Sequence, residues 1–263
     1  MVLAFKLVVT PAVVVLSTLA GRRFGRIASG WIVGLPLTSG PIAAFFAIEH
    51  GRRFAAGAGV GSLGGAIAEV AFCTTYAAAA RRTAWRGSAL AASCAFAVTA
   101  VVLRLLAPGP ETEDVVVLSA AAVAALLAGL RLVPHVELLP NGAEVLPSRY
   151  DLPFRAVTAT VFLLALTALA TALGPQLAGL VAVYPLYTVV LTAFAHAHGG
   201  EAEAVQVLRG LIVGLYSFVC FYTVLPLLLV RTGITPAFAA AFGASLLVQA
   251  GSIVPLLRAQ AAS

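Results

Sequence analysis

Long runs of apolar residues occupy almost the whole chain, separated by short stretches that contain charged residues, glycine or proline. Each run is apolar on every face, whereas the strands of an outer-membrane barrel alternate between apolar and polar residues. A membrane-spanning helix needs about 20 mostly apolar residues. The pattern therefore predicts an all-α, polytopic transmembrane bundle with about nine spans, at residues 2–20, 27–48, 54–79, 87–107, 114–133, 155–174, 177–197, 204–231 and 235–257.

The longest polar interval runs from Pro134 to Pro153 and contains the turn pair Asn141-Gly142. Proline, asparagine and glycine in this density indicate a loop, which we interpret as the joint between two halves. The predicted organisation is a first four-span unit at 1–110, a connecting span with a proline-rich cytoplasmic loop at 111–153, and a second four-span unit at 154–263.

The composition agrees with a membrane location. Of the 263 residues, 61% are hydrophobic and 10% are charged, whereas a soluble domain carries about a quarter charged residues to solvate its surface. The net charge of +6 does not indicate nucleic-acid binding, because the basic residues lie at the ends of apolar runs, as in Arg22-Arg23 and Arg81-Arg82. We expect a multi-pass protein of a bacterial inner (plasma) membrane, with lipid as one partner and no nucleic acid.

The distribution of Lys and Arg predicts the orientation, because cytoplasmic loops are enriched in both. With the amino terminus outside, eleven of these residues fall on the inner side and five on the outer side. The inner set is Arg22, Arg23, Arg26, Arg81, Arg82, Arg86, Arg131, Arg149, Arg155, Arg209 and Arg258, and the outer set is Lys6, Arg52, Arg53, Arg104 and Arg231. The bias favours an outside amino terminus.

The sequence repeats itself at an offset of 149 residues without gaps, with twelve identities in 45 positions. Most identities are glycine, proline or phenylalanine, which have specific structural uses. Besides Val70, the matched residues of the first half are Gly30, Pro36, Leu37, Ala44, Phe45, Gly51, Ala55, Gly61, Gly65, Phe72 and Thr74. Five spans separate the matched segments, an odd number, so the two halves are predicted to have opposite orientations, as in many secondary transporters.

Each half resembles a small membrane protein of the GlpM type. The resemblance rests on Ala178-Gly179-Leu180, Tyr184-Pro185 and Gly200 with the apolar span that follows, and in the first half on Gly30, Pro36, Glu49 and Gly51. It implies a four-helix membrane unit without an established substrate, here duplicated in tandem with an added central span. The layout is also similar to that of drug/metabolite-type transporters with fused inverted halves.

Glu69 is the ionisable residue with the clearest functional potential. It lies about three residues, or roughly 4.5 Å of helical rise, from the middle of its predicted span. An ionisable group at that depth costs at least about 2.5 kcal/mol to insert, so it usually faces a cavity or a partner. Because burial favours the neutral form of a carboxyl group, we expect Glu69 to carry a proton for coupled transport. A protonated side chain that only bonds a neighbouring helix is the alternative.

Proline interrupts two predicted spans at corresponding places. The second span contains Pro36 and Pro41, and the seventh contains Pro185. Backbone groups freed by such breaks can line a cavity, and paired breaks in two halves are a good indicator of a midplane site. The predicted substrate site therefore combines Glu69 with the hydroxyl-bearing residues beside the breaks, which are Thr38, Ser39, Tyr184, Tyr187 and Thr188.

Glycines recur at four-residue spacing on two predicted spans, Gly61 and Gly65 on the third and Gly210 and Gly214 on the eighth. Such ridges allow another helix to approach closely. A polar cluster of His196, His198, Glu201 and Glu203 is assigned to a cytoplasmic loop. It could bind a metal ion or sense pH, but we interpret it as a solvated turn.

The most favoured function is a secondary transporter for a small solute, proton-coupled through Glu69, with alternating access between inverted repeats. We expect no enzymatic activity, no cofactor and no metal site, since the sequence carries no phosphate loop, nucleophile elbow or zinc spacing. Two alternatives stay open: a flippase for lipid or lipid-linked substrates, and a non-transporting accessory protein of a membrane complex. Assembly into a homo-oligomer also stays open.

Overall fold

The computed structural model describes residues 2–24, 26–36, 39–106, 114–136, 153–154, 156–161, 164–165 and 184–261. Within these ranges the chain is all-helical and contains no strand, which confirms the all-α prediction. The longer helices are α1 (Val2–Phe24), α2 (Arg26–Val33), α3 (Ser39–Glu49), α4 (Arg52–Ala80), α5 (Trp85–Leu106), α6 (Asp114–Leu132), α7 (Leu186–Thr232) and α8 (Ile234–Ala261).

Among the described residues, five helices are long and apolar enough to cross a membrane. They are α4, α5, α6, α7 and the first 19 residues of α8. The bounds of α4, α5 and α6 and the start of α8 lie close to predicted spans, whereas α7 covers the predicted span 204–231 together with residues 186–197 of the predicted span 177–197. Most of the predicted span 155–174 falls outside the described residues. The protein thus has several helices suited to a bilayer.

The core of the bundle lies between α4 and α7. Its largest fully buried side chains include Phe72 and Tyr76 on α4, and Leu208 and Phe221 on α7. In contrast, α5, α6 and α8 present large apolar side chains outward, such as Leu105 and Leu247 at 74% and 77% exposure. A water-soluble protein rarely exposes this much apolar surface, and a lipid-facing helix does so without cost.

A sharp turn divides α7 at Gly200, whose φ of 75° and ψ of −167° are not helical. We call residues 186–199 the first arm and residues 201–232 the second arm. The left-handed φ favours glycine, since a Cβ would crowd the backbone there. Gly51 makes the corresponding turn between α3 and α4, with a φ of 89° and a ψ of 163°.

Two contacts fix the direction of the second arm relative to α4. Arg52, the first residue of α4, donates a hydrogen bond to the carbonyl of Val230 in the last turn of α7, at 3.5 Å. At the opposite end, Arg81 follows α4 directly and forms an ion pair of 3.6 Å with Glu201, the first residue of the second arm. The start of each helix therefore meets the end of the other, and the two run antiparallel.

Glycines bring α2 and the second arm into backbone contact. A Cβ at Gly30 would overlap the carbonyl oxygen of Val207, and a Cβ at Gly34 would overlap the backbone of Gly214. From the other side, a Cβ at Gly210 would overlap the carbonyl oxygen of Ile27. This crossing is the close approach that small residues at four-residue spacing permit.

The central helix α6 packs against both long helices. Its Gly129 faces Val70 of α4 and Ile212 of the second arm. Arg209 donates hydrogen bonds to the carbonyls of Leu130 and Val133, at the end of α6. The final carbonyls of a helix have no intrahelical donor and carry partial negative charge, so the guanidinium satisfies and stabilises this end.

Candidate functional site

The centre of the site is a hydrogen bond between Glu69 and Thr188. The Thr188 hydroxyl donates to Oε1 of Glu69 at 2.7 Å. Glu69 is partly buried in the middle of α4, and Thr188 is buried in the first turn of α7. The structure thus brings together two of the residues assigned to the site from sequence, which lie 119 positions apart.

Ser39 occupies the position in the first half that corresponds to Thr188 in the second. It is the first residue of α3, and its side chain faces the phenol of Tyr222 on the second arm. Ser62 of α4 faces the same phenol. Ser39 therefore lies against the second arm, as Thr188 lies against α4.

The remaining residues of the predicted substrate site have different positions. Tyr184 shares a hydrogen bond of 2.6 Å with Ser93 of α5 and packs edge-to-face on Phe96, so its hydroxyl is engaged by α5. Tyr187 is partly buried in the first turn of α7. Thr38 lies outside the described residues.

The three prolines lie at or near helix ends. Pro36 is buried between the end of α2 at Val33 and the start of α3 at Ser39. Pro41 lies in the first turn of α3, and Pro185 immediately precedes α7. These are positions where the missing backbone N–H of proline breaks no intrahelical hydrogen bond.

The glycine ridges differ between the two long helices. Gly210 and Gly214 both contact the backbone of α2. A Cβ at Gly61, in contrast, meets nothing within 4 Å among the described residues, so the close approach expected at Gly61 is absent from that part of the structure. Gly65 is partly buried on α4.

A second polar contact joins α4 and the first arm, nearer to the carboxyl ends of both. The hydroxyl of Tyr76 and Nδ1 of His196 are 3.3 Å apart, and the two rings meet edge-on. His196 is helical, so its assignment to a loop is wrong: the first arm continues to Gly199, and Gly200 alone makes the turn. Sequence reasoning also missed Tyr76, although its spacing from Glu69, two helical turns, places both on one face.

A further polar cluster links α2 to α8. The indole of Trp31 donates to the Ser252 hydroxyl at 2.8 Å, and Gln249 donates to the carbonyl of Trp31 at 3.0 Å. These contacts were also missed, since an isolated glutamine within an apolar run gives no indication of its partner. They tie α8 to the α2 crossing.

The described residues contain no group of three or more His, Cys, Asp or Glu side chains suited to a metal ion. A surface cavity of about 490 Å³ lies at the turn before α4 and is lined by His50, Gly51, Arg52, Arg53 and Val230. It is separate from Glu69, which is more than four helical turns along α4 from Arg52.

Comparison of the chain with protein-family models, with curated proteins and with solved structures finds no match. Over its described residues the protein is helical, has several helices long and apolar enough to cross a membrane, and carries on one of them a carboxyl group that accepts a hydrogen bond from another.

Proposed function

We propose that the chain is a secondary transporter for a small solute, coupled to protons through Glu69. The observation that carries the proposal is the hydrogen bond between Glu69 and Thr188 in the middle of an apolar bundle. A carboxyl group at that depth is costly, and such groups usually belong to ion or substrate pathways. Thr188 lies three residues after Pro185, and interruptions of this kind are where transporters bind substrates.

Opposite orientation of two related units supports alternating access. The long helix α4 and the second arm correspond to each other in the sequence repeat and run antiparallel. Each of these helices begins directly after a glycine with a positive φ, which is Gly51 for α4 and Gly200 for the second arm. Two inverted, interlocked halves can rock about a central site and expose it to one side of the membrane at a time.

In the proposed mechanism, protonated Glu69 accepts the hydroxyl hydrogen bond of Thr188 while the site is closed and holds no cationic solute. Loss of the proton leaves a charged carboxylate in a poorly solvated position, which is unfavourable. That state is stabilised only when the site opens to water or a cationic solute approaches. Proton binding and conformational change are thereby linked.

The test is a flux measurement on purified protein in liposomes that contain a trapped pH indicator. Amino acids, sugars, organic acids and organic cations are added one class at a time. We expect one class to change the lumenal pH in a protein-dependent manner. Transbilayer movement of a headgroup-labelled phospholipid without any solute-driven pH change would identify a flippase instead, and absence of both activities would indicate an accessory protein.

A further inference from the structure

The first arm carries three polar residues on the face that meets α4. Thr188, Thr192 and His196 recur at intervals of four, so they lie above one another along the helix. At one end of this row Thr188 bonds Glu69, and at the other His196 contacts Tyr76. The residue numbers of the two contacting pairs rise together, so the first arm runs parallel to α4 and both contacts lie along one interface.

The middle of the row is a buried hydroxyl group that has no hydrogen-bond partner among the described residues. Thr192 is 0% exposed, and its Oγ1 neither bonds its own helix nor finds another group there. Thr74 and Thr223 behave differently, since each donates to the carbonyl four residues earlier. Because buried polar groups are normally satisfied by protein or by water, the Thr192 hydroxyl is suited to hold a water molecule.

The row leads from the middle of α4 to its carboxyl end. From Glu69 to Tyr76 is roughly 10 Å of helical rise, and Ala80 ends the helix one turn later. There the partly exposed Glu201 pairs with the exposed Arg81. His196 is therefore the last group of the row before the polar surface at the Gly200 turn.

The titratable groups around the row come from both helices. On α4 they are Glu69, Cys73 and Tyr76, and Cys73 is buried close enough to Glu69 to interact with it electrostatically. At the surface end Glu201 interacts electrostatically with His196, while His198 turns its ring back to the carbonyl of Phe194. The groups nearest to His196 are thus a phenol and a carboxylate that is itself ion-paired with Arg81.

We propose that this row is the route by which protons pass between Glu69 and the membrane surface at the carboxyl end of α4, with His196 as the exchange group at its outer end. The proposal rests on the proton-carrying role of Glu69 in the proposed function. A proton leaves the Glu69 carboxyl group for a water held at Thr192, and that water passes a proton to the neutral imidazole of His196. His196 releases a proton to bulk water, so one proton moves and only O–H and N–H bonds break and form.

The test measures hydrogen–deuterium exchange of the Glu69 carboxyl group by infrared spectroscopy, on purified protein in lipid nanodiscs. The band of the protonated carboxyl group is assigned by its loss in Glu69→Gln, and its shift after transfer to heavy water gives the exchange rate. Thr192→Val keeps the side-chain shape but removes the hydroxyl, and is expected to slow exchange by about tenfold or more. His196→Phe should slow it similarly.

Matched variants separate the route from general loosening of the bundle. Thr192→Ser keeps a hydroxyl and should restore the fast rate, and Thr74→Val removes a hydroxyl from α4 that bonds only its own helix, so it should leave the rate unchanged. If His196→Phe fails to fold, Tyr76→Phe is the second test at the outer end: it removes the hydroxyl that contacts Nδ1 of His196 and should also slow exchange. If the Glu69 band titrates but the carboxyl group exchanges at the same rate in wild type, Thr192→Val and His196→Phe, the route is overturned and the proposed function is not. Absence of any protonated Glu69 band across a pH titration overturns the proposed function, and the route with it.

Discussion

Gly51 and Gly200 lie 149 positions apart and adopt nearly the same left-handed backbone conformation, with φ values of 89° and 75° and ψ values of 163° and −167°. Each ends a short helix and starts a long one. The contacts beside the two turns also correspond. Arg52 donates a hydrogen bond to the carbonyl of Val230. The positions related to these two by the 149-residue offset are Glu201 and Arg81, and they form an ion pair with each other. These exchanged contacts agree with the two-fold relation between inverted halves that we propose.

The first prediction concerns these turns. Gly200→Ala and Gly51→Ala should each lower the free energy of unfolding by roughly 1–2 kcal/mol, because a Cβ is disfavoured at left-handed φ. Unfolding in detergent, followed by circular dichroism, measures the change. Gly243→Ala is the control, since Gly243 is helical and a Cβ there meets nothing within 4 Å among the described residues. An equal loss in all three variants would contradict the explanation from backbone conformation.

The second prediction concerns the crossing of α2 and the second arm. Gly210→Ala should destabilise the protein by about 1–3 kcal/mol, because the new methyl group overlaps the carbonyl of Ile27 and forces the helices apart. The same unfolding measurement applies. Gly64→Ala is the matched change on α4, where the nearest atom, on Leu103, would be an ordinary 3.8 Å away. Equal stability of the two variants would refute the close crossing.

The third prediction concerns the end of α6. Arg209→Met should cost about 1–3 kcal/mol of unfolding free energy, because it leaves the carbonyls of Leu130 and Val133 without their donor. Arg131→Met, an exposed arginine in the last turn of α6, is the control and should change stability much less. If Arg209→Met is as stable as the wild type, the hydrogen bonds from Arg209 do not stabilise the packing of α6.

The fourth prediction tests the antiparallel arrangement by cross-linking. In a background without Cys73, Cys94 and Cys220, cysteines are introduced as the pair Arg52→Cys with Val230→Cys. A bis-maleimide of roughly 10 Å, about two helical turns, should join this pair. The same reagent should join Arg81→Cys with Glu201→Cys.

The mismatched pair Arg52→Cys with Glu201→Cys is the control for cross-linking. Because α4 has 29 residues, these two positions should lie about 40 Å apart and remain unlinked. Efficient linking of the mismatched pair within one chain would mean that the two long helices run in the same direction.

The apolar pattern was sufficient to predict most of the helices. The predicted spans 54–79 and 114–133 lie within two residues of α4 and α6, because unbroken apolar runs and their polar flanks determine where such helices begin and end. The polar stretch at 196–199 misled this reasoning, since the chain stays helical there until Gly200 supplies the turn. Polarity alone does not distinguish a loop from the polar end of a helix.

The partners of the site residues were less predictable. The midspan depth of Glu69 and the position of Thr188 beside Pro185 indicated one shared site, and these two side chains are in contact. Tyr184 belonged to the same predicted group, yet it bonds Ser93 of α5. Which neighbour a hydroxyl reaches depends on helix rotation and on packing between distant segments, and a single sequence contains no direct record of either.

The most direct test of the account compares two assays on Glu69→Gln in proteoliposomes, once a transported solute has been identified. Glutamine keeps the shape and can still hydrogen-bond Thr188, but it cannot carry a proton. The account predicts that the variant continues to exchange labelled solute for unlabelled solute across the membrane, while the solute no longer drives a change in lumenal pH. Solute-driven proton movement at the wild-type rate in Glu69→Gln would contradict it.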